Sequence, residues 1–319
     1  MAQSTVALPA FLAVISVVIF VLNGELLQFL QTGTAKAVPP LVNVWACHIA
    51  GVALLPWAKP GYLKIRETMG LAEFIACITV LSALLLGYNS AWVFASQDLN
   101  IAVLNGVFQT SVGTTYLASV LFLSGSTFSL GKTLGVALGL VGAVVVCGAG
   151  PGSSPDHQRG MTFACLAVAG NTCYQILFKR WFGSSYDPQI ALSFLAAVSV
   201  VHVVLGVPVL VAVGTGVEVS DLWQVGVTGV VAYLVQGLWV LVIMLGSPLL
   251  LSCALGLTIP VSVAADYVLH HDLVTPMEGA GHILLILAFL IIVSNQDAPA
   301  KKVMLIDMYH TSKTAYVRL

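Results

Sequence analysis

Charge is what this sequence has least of. Of 319 residues only 8% are Asp, Glu, Lys or Arg, while 59% are hydrophobic. A soluble domain carries about 25% charged residues, so this chain could not clothe a surface that faces water. Short signals of chemistry are missing as well. The six cysteines, Cys47, Cys77, Cys147, Cys165, Cys173 and Cys253, show no CxxC spacing. That argues against disulfides and metal sites and for buried, inert thiols. There is no HExxH spacing and no pair of histidines within one apolar run, so no metal, cofactor or enzyme activity is expected. The opening MAQSTVALPA lacks the positive n-region of a cleaved signal peptide, so the first helix should stay. The net charge of −1 is uninformative, and no nucleic-acid partner is expected.

What the chain does have is apolar length. A spanning helix needs about 20 predominantly apolar residues. Such segments lie near 8–30, 40–57, 71–94, 100–123, 131–149, 160–181, 189–213, 222–245, 248–269 and 276–294. The fold class they give is an all-α polytopic membrane protein with ten transmembrane helices in a lipid bilayer. With ten spans, Lys59, Lys64, Arg66, Lys132, Lys179, Arg180, Lys301, Lys302, Lys313 and Arg318 share the side of both termini. Only Lys36 and Arg159 fall opposite. Basic residues gather on the cytosolic side, so both termini are expected in the cytosol.

The chain also repeats itself at an offset of 147 residues, the separation of Trp92 from Trp239. The same shift lays Gln28 on Gln175, Asn89 on Gln236, Ser111 on Thr258 and Gly113 on Pro260, and the spans of one half on those of the other. An odd number of spans per copy inverts the second copy. Residues 1–149 and 160–294 are therefore expected to form two inverted five-helix repeats, joined by a loop at 150–159 and followed by a cytosolic tail at 295–319. Inverted repeats are an architecture of alternating access, with the solute held near the midplane between halves.

The stretch NIAVLNGVFQTSVGTTYLASVLFLSGSTFSLGKTLGVALGLVGAVVV (100–146) resembles the signature helix pair of the drug/metabolite transporter (EamA-type) superfamily. The pattern is a small-and-polar helix, a short turn, then a glycine-spaced helix rich in valine and leucine. SPLLLSCALGLTIPVSVAADYVLHHDLVTPMEGAGHILLILAFLIIV (247–293) resembles its second copy. The family usually carries a carboxylate in the turns after the fourth and ninth helices. Here Asp272 stands in the second turn, but Gly125 and Ser126 stand in the first. YQILFKRWFG (174–183) is similar to a segment of the eukaryotic solute-carrier branch that includes nucleotide-sugar and thiamine-transporter-like proteins. The resemblance implies ten helices, cytosolic termini and a central cavity lined by both halves.

Polar residues inside a membrane are costly and face a cavity or a partner helix. The candidates for binding a small-molecule solute are Glu25, Gln28, Tyr88, Asn89, Trp92, Asn105, Gln109, Gln175, Lys179, Gln236, Trp239, Thr258 and Asp266. Residues three or four apart share a helix face, which joins Glu25 to Gln28, Asn171 to Gln175 and Asn105 to Gln109. Thr258, Ser262 and Asp266 form one stripe, with Pro260 able to loosen the backbone. Glu25 is the deepest carboxylate, and desolvation raises a carboxylate's affinity for protons. It is the candidate for a coupling proton, for a cationic solute, or for both in competition. Tyr88, Trp92, Tyr116 and Trp239 could add cation–π contacts.

Lys179 is the best cation for the alternative, a nucleotide-sugar or phosphorylated-metabolite antiporter, and otherwise a snorkelling anchor. His48 and His202 lie alone in their spans and read as satisfied polar residues. His270 and His271 share a turn with Asp272. Gly131, Gly135, Gly139 and Gly142 make a small-residue packing face, either between the halves or in a homodimer. The end of the tail, Tyr316 to Leu319, resembles a tyrosine-based sorting signal. The expected function is a secondary transporter of a small polar organic metabolite, cationic and proton-coupled in the favoured form. The expected membrane is an endomembrane (Golgi, endosomal or lysosomal) or the plasma membrane. A non-transporting scaffold or receptor is the remaining alternative.

Overall fold

The computed structural model describes residues 2–32, 40–99, 101–147, 155–183, 187–213, 222–270 and 275–296. Lys36, His271, Asp272 and the tail from 297 onward lie outside the described residues, as do the side chains of Gln28, Asp266 and His270.

The elements run α1 (Ala2–Thr32), α2 (Pro40–Ile49), a 3₁₀ segment (Ala50–Leu54), α3 (Leu55–Thr68), α4 (Leu71–Asp98), α5 (Ile101–Gln109), α6 (Ser111–Phe122) and α7 (Leu130–Cys147). They continue with α8 (Pro155–Phe182), α9 (Pro188–Val213), α10 (Leu222–Leu245), α11 (Pro248–Gly256), α12 (Thr258–His270) and α13 (Pro276–Ser294). Among the described residues there is no strand. Six stretches among the described residues, 71–98, 155–182, 188–208, 223–245, 248–265 and 276–294, are long and apolar enough to cross a membrane. Ala7–Asn23 and Leu130–Val146 are shorter apolar helices. Large apolar side chains such as Leu121, Leu130 and Val268 point outward and stay exposed, as they must where the solvent is lipid. The chain is an all-α polytopic integral membrane protein.

The helical breaks have local causes. Pro56 has no N–H for an α-helical bond to the carbonyl of residue 52, and Leu55 N–H bonds Val52 O instead. This tightens 50–54 into a 3₁₀ segment. Beyond it α3 continues to Thr68, past the apolar run that ends near 57, because a helix that has left the bilayer can still propagate in water. The α5/α6 break falls at Thr110 and the α11/α12 break at Leu257, again 147 residues apart. At each, a threonine hydroxyl donates to a carbonyl three residues back: Thr110 to Val107 O at 2.6 Å, and Thr258 to Leu255 O at 2.7 Å. Pro260 lies in the first turn of α12, where its missing N–H costs least.

The four most extensive helix pairings each join a helix before residue 150 to one after it: α7 with α13, α4 with α8, α1 with α10, and α3 with α9. Shifting by 147 exchanges α4–α8 with α1–α10, and α2–α10 with α4–α9, while α7–α13 maps onto itself. All these pairings are present. The glycine face of α7 is spent inside the chain. A Cβ on Gly142 would lie 3.0 Å from Gly281 O on α13, whereas one on Gly139 would meet Ala288 at an ordinary 3.5 Å. A close approach also fixes α8 on α4, where a Cβ on Gly170 would sit 2.8 Å from Tyr88 Cβ. An aromatic run of Tyr174, Phe178, Phe182 and Phe194 fills the space between α8 and α9.

Candidate functional site

Polar side chains converge where α8 passes α6 and α11. Asn171, Thr172 and Gln175 project from one side of α8 and are all buried. Gln175 Nε2 donates to Asn171 Oδ1 at 3.2 Å. The Ser252 hydroxyl of α11 lies 3.2 Å from Gln175 Oε1 and 3.1 Å from Thr115 Oγ1 of α6. Its single proton serves the carbonyl oxygen, which can only accept, so Thr115 donates to Ser252. Thr172 Oγ1 lies 2.8 Å from Thr114 Oγ1 and 3.4 Å from Thr115 Oγ1. Asn171 Nδ2 is buried without a hydrogen-bond partner among the described residues. Gln109, on α5, reaches across the break in the other half and donates to Leu255 O at 3.4 Å.

A second group lies where α4, α8 and α10 meet. Gln236 Nε2 donates to the Tyr174 hydroxyl at 3.2 Å, and the rings of Tyr174 and Tyr88 are 6.0 Å apart. Phe20 of α1 stands 5.6 Å from the Trp239 ring. Trp239 Nε1 is buried with no partner among the described residues. Glu25 is half-buried, a little over one turn beyond Phe20 on α1.

The structure joins some sequence candidates and separates others. Gln175, Asn171 and Ser252 meet directly. Trp92 and Trp239 do not form one cage: Trp92 packs with Val103, Met161 and Phe163 beside Leu99, apart from the cluster that holds Trp239. The two nevertheless occupy corresponding seams, α4–α8 and α10–α1. Tyr116 is a loop latch, its hydroxyl accepting from Ser129 N at 3.0 Å. Asn105 is half-buried on α5, and Thr258 spends its hydroxyl on the helix break. Asn89 turns away from Gln236, donating to Leu85 O at 2.8 Å and lying 3.4 Å from His48 Nε2. Lys179 Nζ donates to three carbonyls, Ile243 O at 2.8 Å, Met244 O at 3.0 Å and Gly246 O at 2.9 Å.

Thr114, Thr115 and Thr172 do not stand out in the sequence, because threonine hydroxyls in helices often bond their own backbone. Nor does the meeting of His48 and His202, whose rings lie 4.5 Å apart.

Two ion pairs join residues before 150 to residues after it at different ends of the helices. Arg159 at the start of α8 makes a two-point contact with Asp98 at the end of α4, at 2.8 and 2.6 Å. Lys64 of α3 pairs with Asp187 just before α9 at 2.5 Å. Asp187 also accepts from Gln189 N at 2.9 Å. The Lys64 ammonium and that N–H hold its carboxyl below the usual carboxylate range. An apolar groove of about 590 Å³ opens on the outer side of the α4–α8 seam, lined by Leu84, Tyr88, Phe94, Phe163 and Leu166 among others. It holds none of the buried amides.

No protein-family profile matches the chain. The thiamine-repressible mitochondrial transport protein THI74 of Saccharomyces cerevisiae is 24% identical over 261 residues. The match covers 75% of this chain and 66% of that protein, a little under two thirds of its length. A protein of known crystal structure superposes with a TM-score of 0.67 over 92% of this chain and 96% of its own, at 18% identity. At that identity the likeness is one of fold.

Proposed function

We propose that the chain is a ten-pass secondary transporter of the drug/metabolite transporter type, built from two inverted five-helix repeats and moving a small cationic organic solute by alternating access. The observation that carries the reading is the exchange symmetry of the packing. The helix contacts and the two helix breaks recur under the same 147-residue shift that aligns the sequence halves. Buried amides and hydroxyls gather between the halves, where an inverted-repeat carrier holds its solute. The similarity to a mitochondrial transport protein supports transport as the activity and adds a mitochondrial membrane to those worth testing. The positive-inside count supports cytosolic termini.

In this reading Asn171, Gln175 and Ser252 orient the solute, and Glu25 balances its charge. Tyr88, Tyr174 and Trp239 supply aromatic faces for a cation. Lys179 favours a solute without phosphate, because an ammonium has three donors and all three are engaged by carbonyls. The name of the yeast relative makes thiamine the first cation to try. The test is exchange of labelled thiamine in proteoliposomes at equal pH on both sides. Glu25→Gln and Gln175→Ala should each weaken half-saturation at least tenfold. Unchanged affinity in both variants would remove these residues from the site, and no exchange of thiamine or other organic cations by the intact protein would remove the function.

A further inference from the structure

His48 and His202 stand alone in their own helices in the sequence, yet the fold stacks them. Their ring centroids are 4.5 Å apart with 39° between planes, and their exposures are 4% and 0%. They sit where α2 crosses α9, so each half contributes one ring.

Their hydrogen bonds assign the tautomers. Asn89 Nδ2 carries two protons; one goes to Leu85 O and the other points at His48 Nε2. Nε2 of His48 is therefore the accepting nitrogen, and its proton is on Nδ1. His202 Nδ1 lies 2.9 Å from Val198 O, which can only accept, so His202 carries its proton on Nδ1 and a bare lone pair on Nε2. What remains is a buried donor, His48 Nδ1, and a buried acceptor, His202 Nε2, neither with a partner among the described residues. Leaving buried polar atoms unpaired is costly, and such exceptions call for an explanation.

We infer that the His48–His202 pair is a binding site for one proton, the coupling ion of the transport cycle, separate from the carboxylate that faces the solute. Imidazole is the side chain whose ordinary titration falls near neutral pH. When the cycle opens the pair to water, a hydronium ion gives its proton to His202 Nε2. One N–H bond forms, a water molecule leaves, and His202 becomes an imidazolium. The same bond breaks on the opposite side of the membrane. A second proton is excluded because two imidazolium rings this close repel.

The charge has leverage on the fold. α2 packs on α10 of the other half and α9 packs on α4 of the other half, so a cation between α2 and α9 acts on both seams. The titratable neighbours on these elements are otherwise uncharged: Cys47 next to His48 on α2, Tyr88 next to Asn89 on α4, and Tyr233 on α10, whose hydroxyl lies 3.4 Å from that of Ser199, one turn before His202. The charged residues of α4, Glu73 and Asp98, and of α3, Lys59, Lys64, Arg66 and Glu67, lie at least nine residues along the helices from Asn89 or His48. That is roughly 13 Å of helix or more.

This inference rests on the transporter reading, so its test has one arm that needs no transport. In the first arm, proteoliposomes about one pH unit more acidic inside than outside are given labelled thiamine in the external medium. One-for-one exchange with a proton accumulates solute about tenfold, since a tenfold ratio equals about 1.4 kcal/mol. His202→Gln and His48→Gln should keep exchange at equal pH and lose the gradient-driven accumulation; accumulation retained in both variants overturns the site. In the second arm, the full chain with ¹⁵N-labelled histidine is titrated in micelles from pH 8 to pH 5. One ring of the pair should convert from neutral tautomer to imidazolium, and in His202→Gln that step should vanish, with His48 neutral throughout. Two rings that stay neutral throughout overturn the proposal whatever the solute turns out to be, and do so in the unmutated chain if the variants fail to fold.

Discussion

Lys179 offers the sharpest test of how function and stability divide in this protein. Its ammonium holds the carbonyls of Ile243, Met244 and Gly246 at 2.8, 3.0 and 2.9 Å, where α10 ends and the chain turns into α11. Replacing it by Met keeps the aliphatic stem but strips three carbonyls of their partner. Each unsatisfied acceptor costs about 1–3 kcal/mol. Against that stands the relief of no longer desolvating an ammonium, several kcal/mol for a fully buried ion and less for this half-buried one. The net expectation is a loss of about 2–4 kcal/mol. Lys179→Arg should recover only part of it, because a planar guanidinium cannot address three converging carbonyls as a compact ammonium does. The assay is the unfolding midpoint in detergent, followed by tryptophan fluorescence, beside thiamine binding to the same samples. A lowered midpoint with unchanged affinity for the folded fraction is expected. An unchanged midpoint with affinity lost would refute the argument and place Lys179 in the solute site.

Three further outcomes follow from the geometry. Gly170→Ala should destabilise by about 1–3 kcal/mol through overpacking against Tyr88, whereas Gly139→Ala, which meets Ala288 at 3.5 Å, should be close to neutral; equal melting shifts for the two would count against the α4–α8 contact. Asp187→Asn keeps the acceptor for Gln189 N but removes the ion pair with Lys64. Because the Asp187 carboxyl is held low, its contribution is present at neutral pH and lost as pH falls through that lowered value. The variant should therefore melt below the natural chain at pH 7 and converge with it in acid, by a gap of about 1 kcal/mol or less, since the pair is exposed; a gap that widens in acid would contradict the sign. Ser252→Ala should weaken thiamine exchange and stability together by about 1 kcal/mol, while Ser294→Ala, whose hydroxyl only bonds Leu290 O on the exposed side of α13, should change neither.

The helices were legible because length and apolarity decide them in a membrane. The expected segments 222–245 and 276–294 differ from α10 and α13 by no residue. The second segment was cut short at 57 because apolarity marks the bilayer and not the helix, and α3 runs on to Thr68 with Lys59, Lys64 and Arg66 on it. The break at Thr110 carried no proline to announce it. Within the site, Gln175 was visible as an intramembrane amide that a 147-residue shift lays on Gln28. The hydroxyls of Thr115 and Thr172 were not, since a threonine in a helix gives no sign of whether it looks outward to a neighbour or back at its own carbonyls. The His48–His202 contact was out of reach for a different reason: it depends on how α2 and α9 cross, which no local pattern encodes.

The cross-pairing of the helices bears on how the chain is made. Each of the four most extensive pairings needs a helix from beyond residue 150, so α1, α3, α4 and α7 leave the ribosome before their main partners are synthesised. Ser82, Gln109 and Thr115, buried in the finished protein, must meanwhile sit against lipid or an insertion chaperone. Assembly is then a docking of two preinserted halves, as in the separation of helix insertion from helix association. Two fragments divided between residues 147 and 155 should accumulate only when they are expressed together.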